Sequence, residues 1–383
     1  MTELNNLNTE FLDEDTNINN IDDGTGIEVE RDEAITEPFD PTLIRVDTRP
    51  MTIDLLLSRI KHDELDLAPD FQRLGGIWND GAKSRLIESM LIRIPLPAFY
   101  MDATNDEKWL VVDGLQRLTT LRRFVIDKKL RLRGLEFLTQ LEGRNYDEMP
   151  RNLQRRIAET QVTVYLIEKG TPPEVKFNIF KRINTGGLPL SAQEVRHALN
   201  QGKATKLLAK LAQSTEFKKA TNNSIRDKRM ADREFVIRFI AFTVTSYTEY
   251  KSKEFDSFLS DAMADINKMS ELEIENLEQQ FRRSMLAAFD IFGEDAFRKR
   301  YKVDARRGFL NKALFEVWSV NLNQLNDAQL QIVKERKDVL KAEFITLMND
   351  RTFDSAISQG TGDVNKVKRR FSAIEQLIKN VLS

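Results

Sequence analysis

The spacing of apolar residues changes three times along the chain. Through residues 1–40 no apolar period appears, and Asn, Asp, Glu and Thr dominate. Such a stretch cannot bury enough apolar surface to fold by itself, so it reads as an acidic disordered tail. Order is expected from residues 41–45 onward. Residues 53–60 carry a helical period behind Thr52, a suitable N-cap. Residues 65–73 read as extended, then loop through Gly75 and Gly76. Asn79 and Asp80 can cap a helix to about Arg93, with Leu86, Met90 and Leu91 on one face. Ile94-Pro95-Leu96-Pro97 ends it. Residues 98–101 and 109–112 read as strands around a polar hairpin, and β-branched residues 162–167 as another. Beyond Gln201 the pattern is almost wholly helical: 234–244, 255–269, Glu271–Phe292, 310–325 and 327–348. Within Glu271–Phe292, the residues Ile274, Leu277, Phe281, Met285, Ala288 and Phe292 step by three and four, the pattern of a core face. No repeat of solenoid period is present.

Residues 108–121 hold the strongest local signal. Val111 and Val112 favour a strand, Gly114 permits a sharp reversal, and Leu115, Leu118 and Leu121 then share one helix face. Gln116 and Arg117 fall on the other side of that first turn. Free backbone N–H groups there, with a guanidinium, suit an anion, and a nucleotide phosphate is the obvious candidate. The plain alternative is a strand–turn–helix with a solvated Arg. A second signal follows at 177–187. Phe177, Phe180 and Ile183 keep helical spacing, and Gly186-Gly187 stops the helix. Ser191 and Glu194 form a capping box, with Leu190 and Val195 placed as a hydrophobic staple. The intervening turn gathers Arg182, Asn184 and Thr185, polar groups a ligand could use. Glu194 is best explained by the cap.

Composition narrows the chemistry. The 383 residues suffice for two or three domains. There is no cysteine, which excludes disulfides, thiolate zinc sites and thiol catalysis and fits a reducing cytoplasm. The polar, acidic start argues against a secretory signal, and no apolar run reaches membrane-spanning length. The net charge of −2 hides an asymmetry: residues 1–40 hold 13 Asp/Glu against Arg31 (−12), and the remainder 57 Lys/Arg against 47 Asp/Glu (+10). A basic body can attract DNA or RNA, and the tail could compete for the same surface. Basic clusters lie at 226–233, 298–307 and 366–370, each by itself best read as a solvated face. Residues 76–84 nearly spell a P-loop, but Ala82 separates Gly81 from Lys83 and no apolar strand precedes. Only His62 and His197 are present, both in charged helical settings expected to be exposed, too few for a histidine-metal nuclease. No HExxH or GxSxG occurs.

Several motifs occur in a fixed order. They are Pro69-Asp70-Phe71-Gln72-Arg73, Trp78, Leu86-Ile87-Glu88-Ser89-Met90, Ile94-Pro95-Leu96-Pro97, and Val112-Asp113-Gly114-Leu115-Gln116-Arg117-Leu118-Thr119-Thr120-Leu121. Then come Phe180-Lys181-Arg182-Ile183-Asn184-Thr185-Gly186-Gly187, Leu190-Ser191 and Glu194. Over roughly residues 50–200 this resembles the DGQQR-motif family, the N-terminal domain of GmrSD-type modification-dependent restriction enzymes, within the ParB/sulfiredoxin-like superfamily. The resemblance implies a small mixed ParB/sulfiredoxin-like sheet with helices over 41–200, and the apolar pattern adds a mostly α-helical domain over 201–383, together an α+β fold. It also implies a domain that binds, and often hydrolyses, a nucleoside triphosphate (NTP) with Mg²⁺, in some members coupled to cutting or nicking phage DNA. On that basis Asp113, Gln116 and Arg117 are candidate catalytic residues. Gln72, Arg73, Gly114, Arg117, Thr119, Arg182, Asn184, Thr185 and Gly186 are candidate phosphate-binding residues. Arg73 and Arg117 could clamp phosphates, and Asp113 could orient water or Mg²⁺. Two departures stand out. Leu115 replaces the family's first Gln and can join the apolar face with Leu118 instead. The His-centred nuclease domain of larger members has no counterpart among two histidines. The leading expectation is a cytoplasmic, NTP-dependent defence protein acting on DNA directly or through a protein partner or homo-oligomer. The alternatives are a non-catalytic nucleotide- or DNA-binding switch and a helical interaction module with a vestigial ParB-like part.

Overall fold

The computed structural model describes residues 26–28, 45–67, 78–183, 191–226, 229–251 and 254–383. The chain forms two compact units. A sheet unit comprises Ala34–Ser214 and Asp227–Phe281, and a helical unit comprises Met1–Glu33, Thr215–Arg226 and Arg282–Ser383.

The sheet unit runs β1 (Val46–Thr52), α1 (Ile53–Lys61), β2 (Leu65–Asp66), α2 (Asp80–Leu91), β3 (Phe99–Asp102), β4 (Trp109–Asp113), α3 (Leu115–Leu121), α4 (Arg151–Glu159), β5 (Gln161–Ile167), α5 (Pro173–Ile183), α6 (Ala192–Leu199) and α7 (Lys203–Ala212). The helical α8 (Thr215–Ala220) belongs to the other unit, and α9 (Ala231–Val244) and α10 (Phe255–Lys268) complete the sheet unit with the start of α11 (Glu271–Phe292). The five strands lie in the order β1-β5-β3-β4-β2. The β1–β5 and β3–β4 pairs are antiparallel, while β3–β5 and β2–β4 are parallel. This is the α+β fold the sequence implied, a mixed sheet followed by a mostly helical region.

Strand alternation makes both sheet faces available for packing. Val162, Val164, Leu166, Phe99, Met101, Trp109 and Val111 bury one face against Leu56 and Leu57 of α1, Ile87 and Met90 of α2 and Ile157 of α4. On the other face, Val112 and Ile167 meet Phe177 and Phe180 of α5 and Val195 of α6. Caps fix where the helices begin. Thr52 accepts from the Leu55 amide (3.3 Å) and Asn79 from Ala82 (2.8 Å), as expected. The Ser191–Glu194 box closes in both directions, at 2.6 and 3.1 Å. Leu190, the other half of the expected staple, lies outside the described residues.

In the helical unit, α12 (Lys312–Gln324), α13 (Asp327–Glu335), α14 (Lys337–Met348), α15 (Arg351–Ser358) and α16 (Val364–Leu382) follow α11. Along α11 the stripe is buried throughout, Ile274, Leu277 and Phe281 in the sheet unit and Met285, Ala288 and Phe292 in the helical unit, as core packing requires. Trp318 stacks edge-on with Phe292 (4.6 Å) and Phe344 (5.2 Å). Glu316 and Arg370, both fully buried, pair at 2.6 Å.

Several expectations need correction. Order does not wait for residue 41: within the acidic stretch, Ile27 is buried and bridges Leu310. The segment 65–73 gives a strand only at Leu65–Asp66; residues 68–73 lie outside the described set. The continuous apolar period over 327–348 is two helices, broken at Arg336, whose guanidinium donates to the Val381 carbonyl at 2.7 Å. His197 is buried, not exposed, because α6 is enclosed from Gln193 to Ala198; His62 is exposed as expected. Strand β1 was not foreseen. Its Pro50 and charged residues mask the period, which is tolerated because β1 lies at the sheet edge.

Candidate functional site: the Asp113–Arg117 turn

The site is built where β4 hands over to α3. The register between β3 and β4 slips by one, pairing Tyr100 with Asp113 and Met101 with Val111. Val112 is therefore an extra residue, a bulge that re-aims the end of the strand. Gly114 follows with φ +97°, and a Cβ there would lie 2.2 Å from Phe99 Cδ1. The turn thus needs glycine for both its backbone and its contact with the aromatic ring.

Arg117 is not the solvated residue of the plain alternative. It is 8% exposed. Its Nη1 donates to the Pro97 carbonyl, and its Nη2 donates to Ala98 O (3.0 Å) and Asp113 Oδ2 (2.9 Å). The guanidinium carbon lies 4.3 Å from the centre of the Phe99 ring. Burial pushes its pKa down from the usual value, and the adjacent Asp113 carboxylate opposes the shift. The arginine braces the approach to β3 against the end of β4. The sequence pattern missed this because carbonyls at Pro97 and Ala98 leave no trace in side-chain spacing.

Asp113 is the group left facing outward, its side chain 34% exposed. Arg117 holds Oδ2, and among the described residues no partner holds Oδ1. Beside it, Tyr100 stacks on Tyr165 (centroids 4.8 Å apart, 24° between planes). Burial, then Tyr165 and Asp113, raise the Tyr100 pKa above its ordinary value. Sequence reasoning missed this pair, whose signal was two tyrosines at half-buried strand positions.

The other candidates divide clearly. Gln116 and Thr119 are half-buried on α3. Leu115 packs its side chain on the apolar clusters around Leu118 and Met230, as its chemistry allows. Arg182 is exposed near the end of α5. Gln72, Arg73, Asn184, Thr185 and Gly186 lie outside the described residues, so they are not placed relative to Asp113. Two other motif residues serve the scaffold. Glu88 accepts from the amides of Glu136 (3.0 Å), Phe137 (2.8 Å) and Leu138 (2.7 Å). Glu194 combines the capping box with an Arg229 contact at 2.8 Å.

Among the described residues no cluster of three or more His, Asp or Glu could hold a metal. A single carboxylate at Asp113 fits a Mg²⁺ that arrives with phosphates and keeps most of its waters. No helix among the described residues is long and apolar enough to cross a membrane.

Residues 53–201 match the family described as GmrSD restriction endonuclease, N-terminal domain. The whole Asp113–Arg117 turn lies within the match, while α7 onward lies outside it. No curated protein matches the chain.

Proposed function

We propose that this chain is a restriction-type defence protein that binds and hydrolyses an NTP at the Asp113–Gly114 turn and acts on DNA. One observation carries the reading. Asp113 is oriented by a buried arginine through one oxygen and presents the other outward, within the segment that matches the GmrSD N-terminal family. A carboxylate so held can orient an attacking water or a hydrated Mg²⁺. Gln116 and Thr119 supply an amide and a hydroxyl from α3. Gln72, Arg73, Arg182, Asn184, Thr185 and Gly186 are the proposed phosphate ligands, and Arg117 is assigned to positioning Asp113. The Mg²⁺ would supply charge neutralisation on the phosphates.

The test is phosphate release from a panel of NTPs with Mg²⁺, with and without DNA. Turnover lost in Asp113→Asn, with nucleotide binding retained, supports the reading. Turnover unchanged in Asp113→Asn overturns it. A non-catalytic nucleotide switch is the second reading. It is favoured by Leu115, which packs where a Gln would offer hydrogen bonds. Nucleotide binding without turnover in the wild-type protein would select it.

A further inference from the structure

Residues 128–138 of the sheet unit contain no helix or strand, yet every amide from Leu132 to Leu138 is held. The Leu132 amide donates to Arg144 O (3.0 Å), and the Gly143 amide donates to Leu132 O (2.8 Å). Arg133 donates to Ser84 Oγ (2.9 Å), and Gly134 and Leu135 donate to the two oxygens of Glu142 (2.9 and 3.2 Å). Glu136, Phe137 and Leu138 share the Glu88 carboxylate. Ser84 and Glu88 are buried on α2, one turn apart, so the loop is fastened to a helix at two points. Its side chains Leu130, Leu132 and Leu135 enter the core. Phe137 does not: it is 68% exposed on a backbone whose amide is tied to Glu88. Covering this ring would remove apolar area from water with little ordering cost, because the backbone is already fixed.

The surroundings of the ring are cationic. Residues 128–144 carry Lys128, Lys129, Arg131, Arg133 and Arg144 against Glu136 and Glu142. Lys129, Arg131 and Arg133 are exposed at alternate positions, with Leu130 and Leu132 buried between them, which sets three cations on one side of the arm. Lys128 pairs with Asp147 (2.6 Å), Arg131 with Glu148 (3.1 Å), and Arg144 donates to the Glu148 carbonyl (3.1 Å). Among the described residues Lys129 and Arg133 hold no ion pair. Both oxygens of Glu142 are spent on amides, which leaves Glu136 as the acidic group beside the ring. Four residues separate Arg133 from Phe137, at most about 14 Å of chain, or about four base steps at 3.4 Å each.

We infer that the arm 128–144 is a contact for duplex DNA, in which Lys129 and Arg133 take backbone phosphates and Phe137 wedges between adjacent base pairs. Charge complementarity names the polyanion, and a fixed apolar side chain beside such cations is the device that unstacks a base step. A protein partner would call for a contiguous apolar patch, whereas Glu136, Thr139 and Gln140 around this ring are polar and exposed. The inference rests on the DNA-binding half of the proposed function and is independent of NTP turnover.

The experiment uses the full chain, Phe137→Ala and Lys129→Gln/Arg133→Gln, all at exposed side chains. Binding to a labelled duplex of mixed sequence is followed across a salt series, and a second duplex carries 2-aminopurine, whose fluorescence rises when its base unstacks. Lys129→Gln/Arg133→Gln should lower the slope of log affinity against log salt by about 1.8, two phosphates at about 0.9 each. Phe137→Ala should keep the wild-type slope, weaken binding about tenfold and remove the fluorescence rise. An unchanged slope in the double variant, or an undiminished fluorescence rise in Phe137→Ala, overturns the inference, as does absence of duplex binding by the wild type. Tighter binding to the single strand than to the duplex overturns the wedge, and self-association that Phe137→Ala abolishes without DNA assigns the ring to a second copy instead. Wild-type duplex binding that neither substitution alters defeats only the arm. Both effects present in a chain without NTP turnover defeat only the NTP half of the proposed function.

Discussion

Replacing Arg117 separates a positioning role from a ligand-binding one. In Arg117→Met a side chain of similar length fills the space over Phe99. The Pro97 and Ala98 carbonyls and Asp113 Oδ2 lose their donor. Removing one partner of a fully buried ion pair costs about 3–5 kcal/mol. Asp113 is a third exposed, so water re-solvates part of the stranded carboxylate and the figure must be discounted. Two carbonyls left without a donor restore part of the cost. The expected loss is about 3 kcal/mol, confined to the sheet unit. Hydrogen exchange resolves it locally: where exchange follows opening of β4 and α3, about 3 kcal/mol is roughly a hundredfold faster. Amides of α16, in the other unit, serve as the internal reference. Lys in place of Arg keeps the charge but loses the planar fork, and should recover less than half the protection. If Arg117→Met leaves exchange in β4 and α3 unchanged while abolishing nucleotide binding, the guanidinium works on a ligand and this account of the turn is wrong.

Two further outcomes follow from buried carboxylates. Burial drives the Glu88 pKa upward, but three backbone amides outweigh it and hold it below the ordinary carboxylate value. Its contribution is therefore complete above the unfolded Glu pKa of about 4.3 and is lost as pH falls through the lower folded value. Glu88→Gln should flatten the acid limb of the stability profile and cost about 1–3 kcal/mol at neutral pH; an acid limb identical to wild type would refute it. In the helical unit, Glu316→Ala strands a fully buried Arg370 and should cost about 3–5 kcal/mol in urea unfolding followed at Trp318. A Glu316→Met/Arg370→Met pair should recover most of that, and a double variant as weak as the single would contradict the reasoning.

The fold was legible wherever one side-chain period served one element. Strands β3, β4 and β5, and helices α1, α2, α9, α10 and α11, follow their alternation or their apolar stripe, and Thr52, Asn79 and Ser191 mark starts through short-range hydrogen bonds. Legibility failed where stability comes from partners distant in sequence. Strand β1 owes its place to pairing with β5, more than 100 residues later. Gly26–Glu28 reads as tail until Lys299, Asn311 and Leu310 are seen around it. The break at Arg336 has no Gly or Pro to announce it; the segment 327–348 keeps its apolar period through the break because α13 and α14 each contribute buried positions, Leu330 and Val333, then Leu340 and Phe344.

The turn itself shows why a motif's letters under-determine roles. In Asp113-Gly114-Leu115-Gln116-Arg117 the residue types suggested an arginine reaching out to phosphate and an aspartate beside it. The structure points the arginine inward, because the bulge at Val112 and the close approach of Gly114 to Phe99 bring two carbonyls to its guanidinium. Leu115 goes inward as well, into the apolar clusters beside Leu118. What remains outward-facing in this segment is Asp113, with Gln116 and Thr119 half-buried on α3. Rigidity in the inward pair is what lets a single carboxylate hold a fixed direction. A ligand at this turn would therefore meet a preset carboxylate, while the guanidinium beside it is already engaged by the Pro97 and Ala98 carbonyls and by Asp113.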